Sequence, residues 1–359
     1  MIPGSSPARA QVAPAYPLGP ARPGRTDAVR RTHQLLKNRL ADLEEAARAG
    51  ARPNRSQGHC DTRRSLKSPA ATTYKTKVVT SRYKAGVHPV TDDSSPVDQR
   101  PSSKLDMTVP ASARIWNYWL GGKDNYSVDR AAGDRYQETF PHIVDVARNS
   151  RVFLARAIRF LSGEAGIRQF LDIGTGMPTV DNTHEVAQRI APESRIAYVD
   201  KDPLVLAHAR ALLTSTPEGV TDYIDADLHE PEKILQAATA TLDFSRPIGL
   251  MLMGIMGHVT DDELALSLVG RLVDALPSGS YLTLYDGTDT DTAFKQAQQG
   301  YDDSGADAYR LRSPEQIAAF FDGLELIEPG VVSLPKWRPE HNPFEPVEVH
   351  AYGAVARKP

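Results

Sequence analysis

A buried-strand pattern that breaks into a glycine turn constrains this chain more than any other feature. Residues 170–176 read FLDIGTG, an apolar run that carries one acid and ends in two glycines one residue apart. Glycine lacks a Cβ, so the backbone of such a turn can approach a ligand closely. A carboxylate beside the turn would repel a pyrophosphate. The pattern therefore predicts a parallel strand whose carboxyl end binds a ligand other than a dinucleotide phosphate.

Strand and helix patterns alternate around this turn. Strands are predicted at 168–173, 195–200, 220–225, 247–253 and 280–286, and helices at 181–191, 203–214, 230–238 and 261–275. Such alternation predicts βαβ units in a parallel sheet covered on both faces. Two later strands, 324–328 and 348–356, are separated by a proline-rich stretch without a helical pattern, so they are predicted to pair antiparallel.

Charge and composition divide the chain into two parts. Residues 1–106 carry 19 Lys and Arg against 9 Asp and Glu, whereas the remainder carries 23 against 36. The first part is poor in large apolar residues, which predicts a mostly disordered basic extension with a short helix over 27–49. The folded domain is expected over 107–359, with an N-terminal lid and helices over 107–165 and the sheet core over 166–359.

The same composition limits the partners of the chain. An acidic folded body is a poor general binder of nucleic acid. The single cysteine, Cys60, cannot form an internal disulfide, and no thiolate metal cluster is visible. No apolar run has the length of a signal peptide or a membrane span. We therefore expect a cytoplasmic protein with no metal, no membrane and no specific nucleic-acid partner.

Carboxylates follow the second and third predicted strands as well as the first. Asp200 lies 24 residues after Gly176, close to the spacing of about 20 at which an acid binds a ribose diol. Asp227 is preferred to Asp225 as the partner of an adenine amino group, because the amide of the adjacent Leu228 can donate to the ring. Carboxyl ends of parallel strands meet at one sheet edge. The pattern thus predicts a single adenosine site, with S-adenosylmethionine as the best candidate ligand.

The predicted cofactor contacts at the strand ends are Asp172, Gly174, Gly176, Asp200, Lys201, Asp227, Leu228 and Met253. In the opening segment, Arg114 and Lys123 are predicted partners of the methionine carboxylate. Tyr118 belongs to an aromatic group that also contains Trp116, Trp119 and Tyr126. This group predicts a lid whose rings face the sulfonium, with hydrophobic docking of the segment as the alternative.

His258 follows the fourth predicted strand, on the side where a methyl acceptor would lie. It is the candidate general base, because a histidine pKa lies near neutral pH. A loop histidine without a catalytic role is the alternative.

Two other functions compete with methyl transfer. A NAD(P)-dependent oxidoreductase would need a third small residue three positions after Gly176, where Thr179 stands. A protein that senses S-adenosylmethionine without transferring its methyl group would carry the same cofactor site, but no effector domain such as a helix-turn-helix is visible. An enzyme is therefore favoured.

Four segments of the chain resemble a known family: residues 112–126, 170–177, 181–186 and 276–281. They are similar to an actinobacterial family of S-adenosylmethionine-dependent methyltransferases that was formerly a domain of unknown function. The resemblance covers about 107–357. It implies a Rossmann-like class I methyltransferase: a seven-stranded, mostly parallel sheet with an antiparallel C-terminal strand and helices on both faces.

The resemblance also implies an activity, in which a methyl group passes from the sulfonium to an acceptor by in-line displacement. The acidic body and the lack of nucleic-acid motifs favour a small-molecule acceptor. The chain departs from its relatives at residues 253–258, MGIMGH, where they carry bulkier apolar residues. These two glycines are expected to change the shape of the pocket.

Overall fold

A computed structural model describes residues 107–340 and 346–359. The predicted disordered extension, with its helix over 27–49, lies outside the described residues. The described helices are α1 (Ser112–Trp119), α2 (Ser127–Thr139), α3 (Ile143–Gly163), α4 (Thr183–Ile190), α5 (Pro203–Leu212), α6 (Pro231–Ala238), α7 (Asp262–Asp274), α8 (Thr292–Asp302) and α9 (Pro314–Ala319). The strands are β1 (Gln169–Ile173), β2 (Arg195–Asp200), β3 (Val220–Asp225), β4 (Gly249–Met253), β5 (Tyr281–Gly287), β6 (Glu325–Leu326), β7 (Val332–Ser333) and β8 (Ala351–Arg357).

These strands form one mixed sheet in the order β3-β2-β1-β4-β5-β8-β6, and β7 also pairs with β8. Strands β1 to β5 are parallel, whereas β8 runs antiparallel to β5, β6 and β7. The predicted antiparallel pair of late strands is therefore confirmed. The described sheet has eight strands and not seven, because two short strands, β6 and β7, pair with different parts of β8.

The order of the strands places a crevice beside β1. From β1 the chain adds β2 and then β3 on one side, and it returns to the other side of β1 to add β4 and β5. At such a reversal the crossovers leave on opposite faces, so an open crevice forms at the carboxyl ends of the central strands. The sequence rule that ligands bind at this edge thus applies to the ends of β1 and β4.

Side chains that alternate along the strands pack into one apolar core on each face of the sheet. On β2, Ile196 and Tyr198 join a core with α1 to α4 and α8, while Ala197 and Val199 join a core with α6, α7 and α9. The predicted cover of helices on both faces is confirmed. Among the described helices, none is long and apolar enough to cross a membrane.

Side-chain caps fix where the helices after β1 and β2 begin. Asn182 and Glu185 form a capping box at the start of α4. Asp202 accepts a hydrogen bond from the Leu204 amide, and Pro203 occupies the first turn of α5. Such caps satisfy amides that would otherwise lack a partner in the first turn of a helix. They also set the length of the two loops that border the crevice.

Candidate active site

A cavity of about 450 Å³ lies at the carboxyl ends of the parallel strands. Small-molecule sites typically have volumes of about 300–1,000 Å³. The structure brings together in its lining all of the strand-end residues that the sequence selected: Asp172, Gly174, Gly176, Asp200, Lys201, Asp227, Leu228, Met253 and His258. In the described part of the chain, no group of three or more His, Cys, Asp or Glu side chains is placed to hold a metal ion.

The two glycines of the turn after β1 serve different purposes. Gly174 has a φ of 73°, and a Cβ built on it would lie 2.5 Å from Cδ1 of Ile255. Any other residue there would meet both backbone strain and a clash. Gly176 has a φ of 63°, but a Cβ on it would meet no atom within 4 Å. The space beside Gly176 is therefore open toward a ligand.

Asp200 ties the end of β2 to the glycine turn. Its Oδ2 accepts a hydrogen bond of 3.0 Å from the Gly176 amide, and its Oδ1 accepts one of 2.9 Å from the Asp202 amide. Burial raises the pKa of Asp200, although these two amides oppose the shift. Each carboxylate oxygen has two acceptor positions, so each retains one. Asp200 can therefore accept from two adjacent hydroxyl groups at once.

Of the two acids near the end of β3, the structure brings Asp227 to the cavity and leaves Asp225 exposed outside its lining. Asp227 Oδ1 accepts from the His229 amide at 2.9 Å and lies 2.7 Å from His229 Nδ1. Burial acts to raise the pKa of Asp227, but the bonds from His229 outweigh it, and the pKa is lowered. Asp227 is thus an ionised acceptor beside the buried Leu228.

His258 follows β4 in a short 3-10 turn, Met256–His258. Its Nδ1 lies 3.1 Å from the carbonyl oxygen of Ala308, so this nitrogen carries the proton and donates it. The lone pair then belongs to Nε2. Burial lowers the pKa of His258, although the Ala308 carbonyl opposes the shift. The ring is therefore neutral at pH 7 and able to accept a proton.

Both glycines of the MGIMGH stretch make room for a tyrosine ring. A Cβ on Gly254 would lie 2.7 Å from the hydroxyl of Tyr285, and one on Gly257 would lie 2.3 Å from Cζ of Tyr309. Tyr309 then reaches the sheet, where its hydroxyl donates to the buried Asp286 at 2.8 Å. The two glycines thus leave room for phenol rings from β5 and from the loop before α9.

Residues 98–359 match the model of a protein family described as S-adenosyl methyltransferase. The chain belongs to this family. It is similar to the crystal structure of a DUF574-family protein from Streptomyces avermitilis, with 44% identity over 71% of this chain and 100% of that chain and a TM-score of 0.68. It is also similar to a candidate methyltransferase from Thermobifida fusca, with 40% identity over 71% and 97% of the two chains and a TM-score of 0.66. No curated protein matches it.

Family membership identifies the chain as an S-adenosylmethionine-dependent methyltransferase with a Rossmann-like class I fold. The resemblance noted in the sequence is thereby confirmed in family, fold, enzyme class and cofactor. The geometry is compatible with this cofactor, because open space at the glycine turn and carboxyl oxygens near neighbouring strand ends line the same cavity.

The three cofactor residues predicted in the opening segment of the methyltransferase lie outside the cavity lining. Arg114 is buried, and its Nε donates to Asp129 at 2.8 Å. Tyr118 donates its hydroxyl hydrogen to Asp134 at 2.6 Å. Lys123 is exposed. Helix α1 turns Arg114 and Tyr118 toward α2 and away from the cavity, so none of the three predicted contacts lies where this cavity would place a cofactor.

The other face of α1 carries two of the aromatic residues for which a lid is predicted. Trp116 and Trp119 line the cavity with their rings 5.6 Å apart. The chain of aromatic contacts continues from Trp119 to Tyr136 at 5.0 Å, and Phe294 from α8 joins it. Helix α1 therefore packs on the domain and forms a wall of the cavity, while the facing of these rings toward a sulfonium stays a prediction.

Sequence reasoning missed Arg151, which lies on α3 and lines the cavity of the methyltransferase. Its Nη2 donates to the carbonyl oxygens of Val180 and Asp181 at 3.3 and 3.0 Å. A signal for it does exist in the sequence. Arg151 stands four residues after Ala147 and three before Leu154, so it places a charge on the apolar face of an amphipathic helix.

Beside Arg151, the Asp172 carboxylate is buried at the centre of the sheet. It accepts a hydrogen bond of 2.5 Å from the hydroxyl of Thr183. Burial raises its pKa to about 6, although the Thr183 bond and the charge of Arg151 oppose the shift. Asp172 is therefore mostly ionised at pH 7, and it places a negative charge below the glycine turn.

Proposed function

We propose that this methyltransferase holds the adenosine of its cofactor over the ends of β2 and β3 and serves a small-molecule acceptor on the side of β4 and β5. The observation that carries the proposal is the position of Asp200 and Asp227. Asp200 is the last residue of β2 and Asp227 follows the end of the neighbouring strand β3 by two residues, and both line one cavity beside an open glycine turn.

Each residue of the cofactor side has a specific proposed contact. Asp200 accepts from the two ribose hydroxyls through the acceptor positions that its backbone partners leave free. Asp227 accepts from the adenine amino group, and the Leu228 amide donates to the ring. Gly174 and Gly176 let the backbone lie against the methionine part. Lys201 and Met253 border the same space, and Lys201 Nζ is held 3.0 Å from Asp307.

On the acceptor side, the task of the protein is alignment and exclusion of water. S-adenosylmethionine supplies a methyl group that its sulfonium already activates. Trp116, Tyr285 and Tyr309 line the cavity, and their rings offer apolar area against which a small acceptor packs. His258, neutral and with Nε2 free of the Ala308 bond, takes the proton of an acceptor hydroxyl or protonated amine.

Ligand-induced stabilisation tests the cofactor site. At about 100 times the dissociation constant, a ligand adds about 2.7 kcal/mol, which raises the Tm of a domain of this size by about 5–10 °C. We expect this shift with S-adenosylmethionine and S-adenosylhomocysteine, and no shift with NAD or NADP. Stabilisation by the dinucleotides alone would contradict the proposal. Transfer of label from methyl-labelled cofactor to a small product in a cell extract distinguishes the enzyme from a sensor.

Replacing His258 tests the proposed base. With an acceptor identified by that labelling, His258→Ala is expected to lower kcat by about 10²–10⁴-fold, the range for loss of a general base. Affinity for S-adenosylhomocysteine should stay within about twofold to threefold, because His258 lies beyond β4. Unchanged turnover would remove His258 from the mechanism.

A further inference from the structure

The end of the cavity next to α3 contains a positive charge whose hydrogen bonds are incomplete. Arg151 Nη2 is held by two backbone carbonyls, but Nε is buried and has no hydrogen-bond partner in the described residues. A guanidinium carries five N–H donors in a planar fork that matches a carboxylate. An arginine in this state is suited to an anionic ligand group that would complete its bonds.

The position of Arg151 relative to Asp200 and Asp227 indicates which part of the ligand carries the anionic group. Asp200 and Asp227 lie at the ends of β2 and β3, whereas Arg151 reaches the loop after β1, at Val180 and Asp181. A ligand whose ribose lies at Asp200 and whose chain crosses the Gly174–Gly176 turn therefore directs its far end toward Arg151.

Other cations near the cavity are engaged elsewhere. Lys201 lies next to Asp200 on the ribose side, and its Nζ is 3.0 Å from Asp307. Arg114 is outside the lining and forms a buried pair with Asp129. Among the described lining residues, Arg151 is therefore the arginine or lysine that stands at the β1 end of the site.

We propose that Arg151 binds the carboxylate of the methionine part of the cofactor, while Asp172 faces its ammonium group. This assignment rests on the proposed adenosine site, and it moves the role predicted for Arg114 and Lys123 to a residue of α3. An α-amino acid is a zwitterion, and the pair of Arg151 and Asp172 offers the complementary charges in one place. Burial raises the pKa of Asp172 to about 6 and lowers that of Arg151 from a value far above neutrality. A carboxylate and a guanidinium cation are therefore both present at pH 7.

Binding of two ligands that differ only in the carboxylate tests this assignment. The full-length protein is titrated calorimetrically with S-adenosylmethionine and with decarboxylated S-adenosylmethionine. The wild type is expected to prefer the carboxylate by about 10–100-fold, the value of a charge-assisted contact. In Arg151→Met the preference should fall to about threefold or less, because affinity for the carboxylate ligand drops while affinity for the other changes little.

Two further variants keep the test decisive. Arg148→Met is the matched control, because Arg148 is an exposed arginine on the same helix outside the lining, and it should retain the full preference. Arg151→Lys keeps a point charge without the planar fork. Its preference should fall several-fold, even if Arg151→Met proves too unstable to titrate.

Three results would overturn the assignment. Equal loss of affinity for both ligands in Arg151→Met would make Arg151 a structural residue, and an unchanged preference in the Arg151 variants would place the carboxylate elsewhere. A wild type that binds neither ligand would instead refute the adenosine site itself, and the proposed cofactor geometry with it.

Discussion

Replacing Asp200 with alanine is expected to weaken S-adenosylhomocysteine binding by about 100-fold or more. The carboxylate has two proposed bonds to ribose hydroxyls, and a charged acceptor contributes about 1.5–3 kcal/mol for each. It also holds the Gly176 amide at 3.0 Å, so the turn loses its anchor at the same time. Calorimetric titration of the wild type and Asp200→Ala measures the loss.

Asp225 is the matched control for this experiment. It ends β3 directly opposite Asp200 in the strand register, yet it is exposed and outside the cavity lining. Asp225→Ala removes the same charge one strand away and should change affinity by less than about twofold, since Asp225 lies outside the cavity lining and water weakens the field of an exposed charge. Equal losses in the two variants would mean that general electrostatics, and not ribose contacts, governs binding.

Replacing Arg114 with methionine is expected to lower the free energy of unfolding by about 3–5 kcal/mol, the usual effect of removing one member of a buried ion pair. The Asp129 side chain is fully buried, and it accepts bonds from Arg114 Nε, the Ala111 amide and the Tyr126 amide at 2.8–3.0 Å. These bonds join the start of α1 to α2. Without Arg114, the buried carboxylate loses its counter-ion.

Urea unfolding of Arg114→Met measures this effect. The control is Arg135→Met, which replaces an exposed arginine of α2 and should change stability by no more than about 0.5 kcal/mol. The double variant Arg114→Met with Asp129→Leu removes both charges and should recover part of the lost free energy of unfolding. A variant of normal stability that failed to bind S-adenosylhomocysteine would restore Arg114 to the cofactor site.

The strand ends were predictable because their signals are local. Apolar runs, capping acids and the glycine turn each lie within a few residues, and parallel strands necessarily bring their carboxyl ends to one edge. Asp172, Asp200 and Asp227 therefore appear in one cavity as the pattern predicted. The choice of Asp227 over Asp225 was also local, since it depended on the adjacent Leu228.

The predicted contacts of the opening segment depend on the direction in which each side chain of α1 points. The aromatic and charged residues of α1 alternate around a helix, and the sequence alone does not tell which side faces the sheet. The buried pair with Asp129 turns Arg114 inward, and Trp116 and Trp119 take the cavity side. Arg151 was missed for the converse reason, because its contact with the loop after β1 joins residues about thirty positions apart in the chain.

The sequence by itself determined the βαβ order, the acids at the strand ends and the family, because these follow from short-range patterns and from the rule that parallel strands share one edge. Only the tertiary structure decided that Arg151 is the arginine that lines the cavity and that Trp116 and Trp119 form the side of α1 that faces it. It also explains the glycines at 254 and 257, which leave room for the rings of Tyr285 and Tyr309. Those outcomes depend on how separate helices pack across the sheet. That packing depends on burial and charge pairing between residues that are far apart in the sequence, so no single segment specifies it.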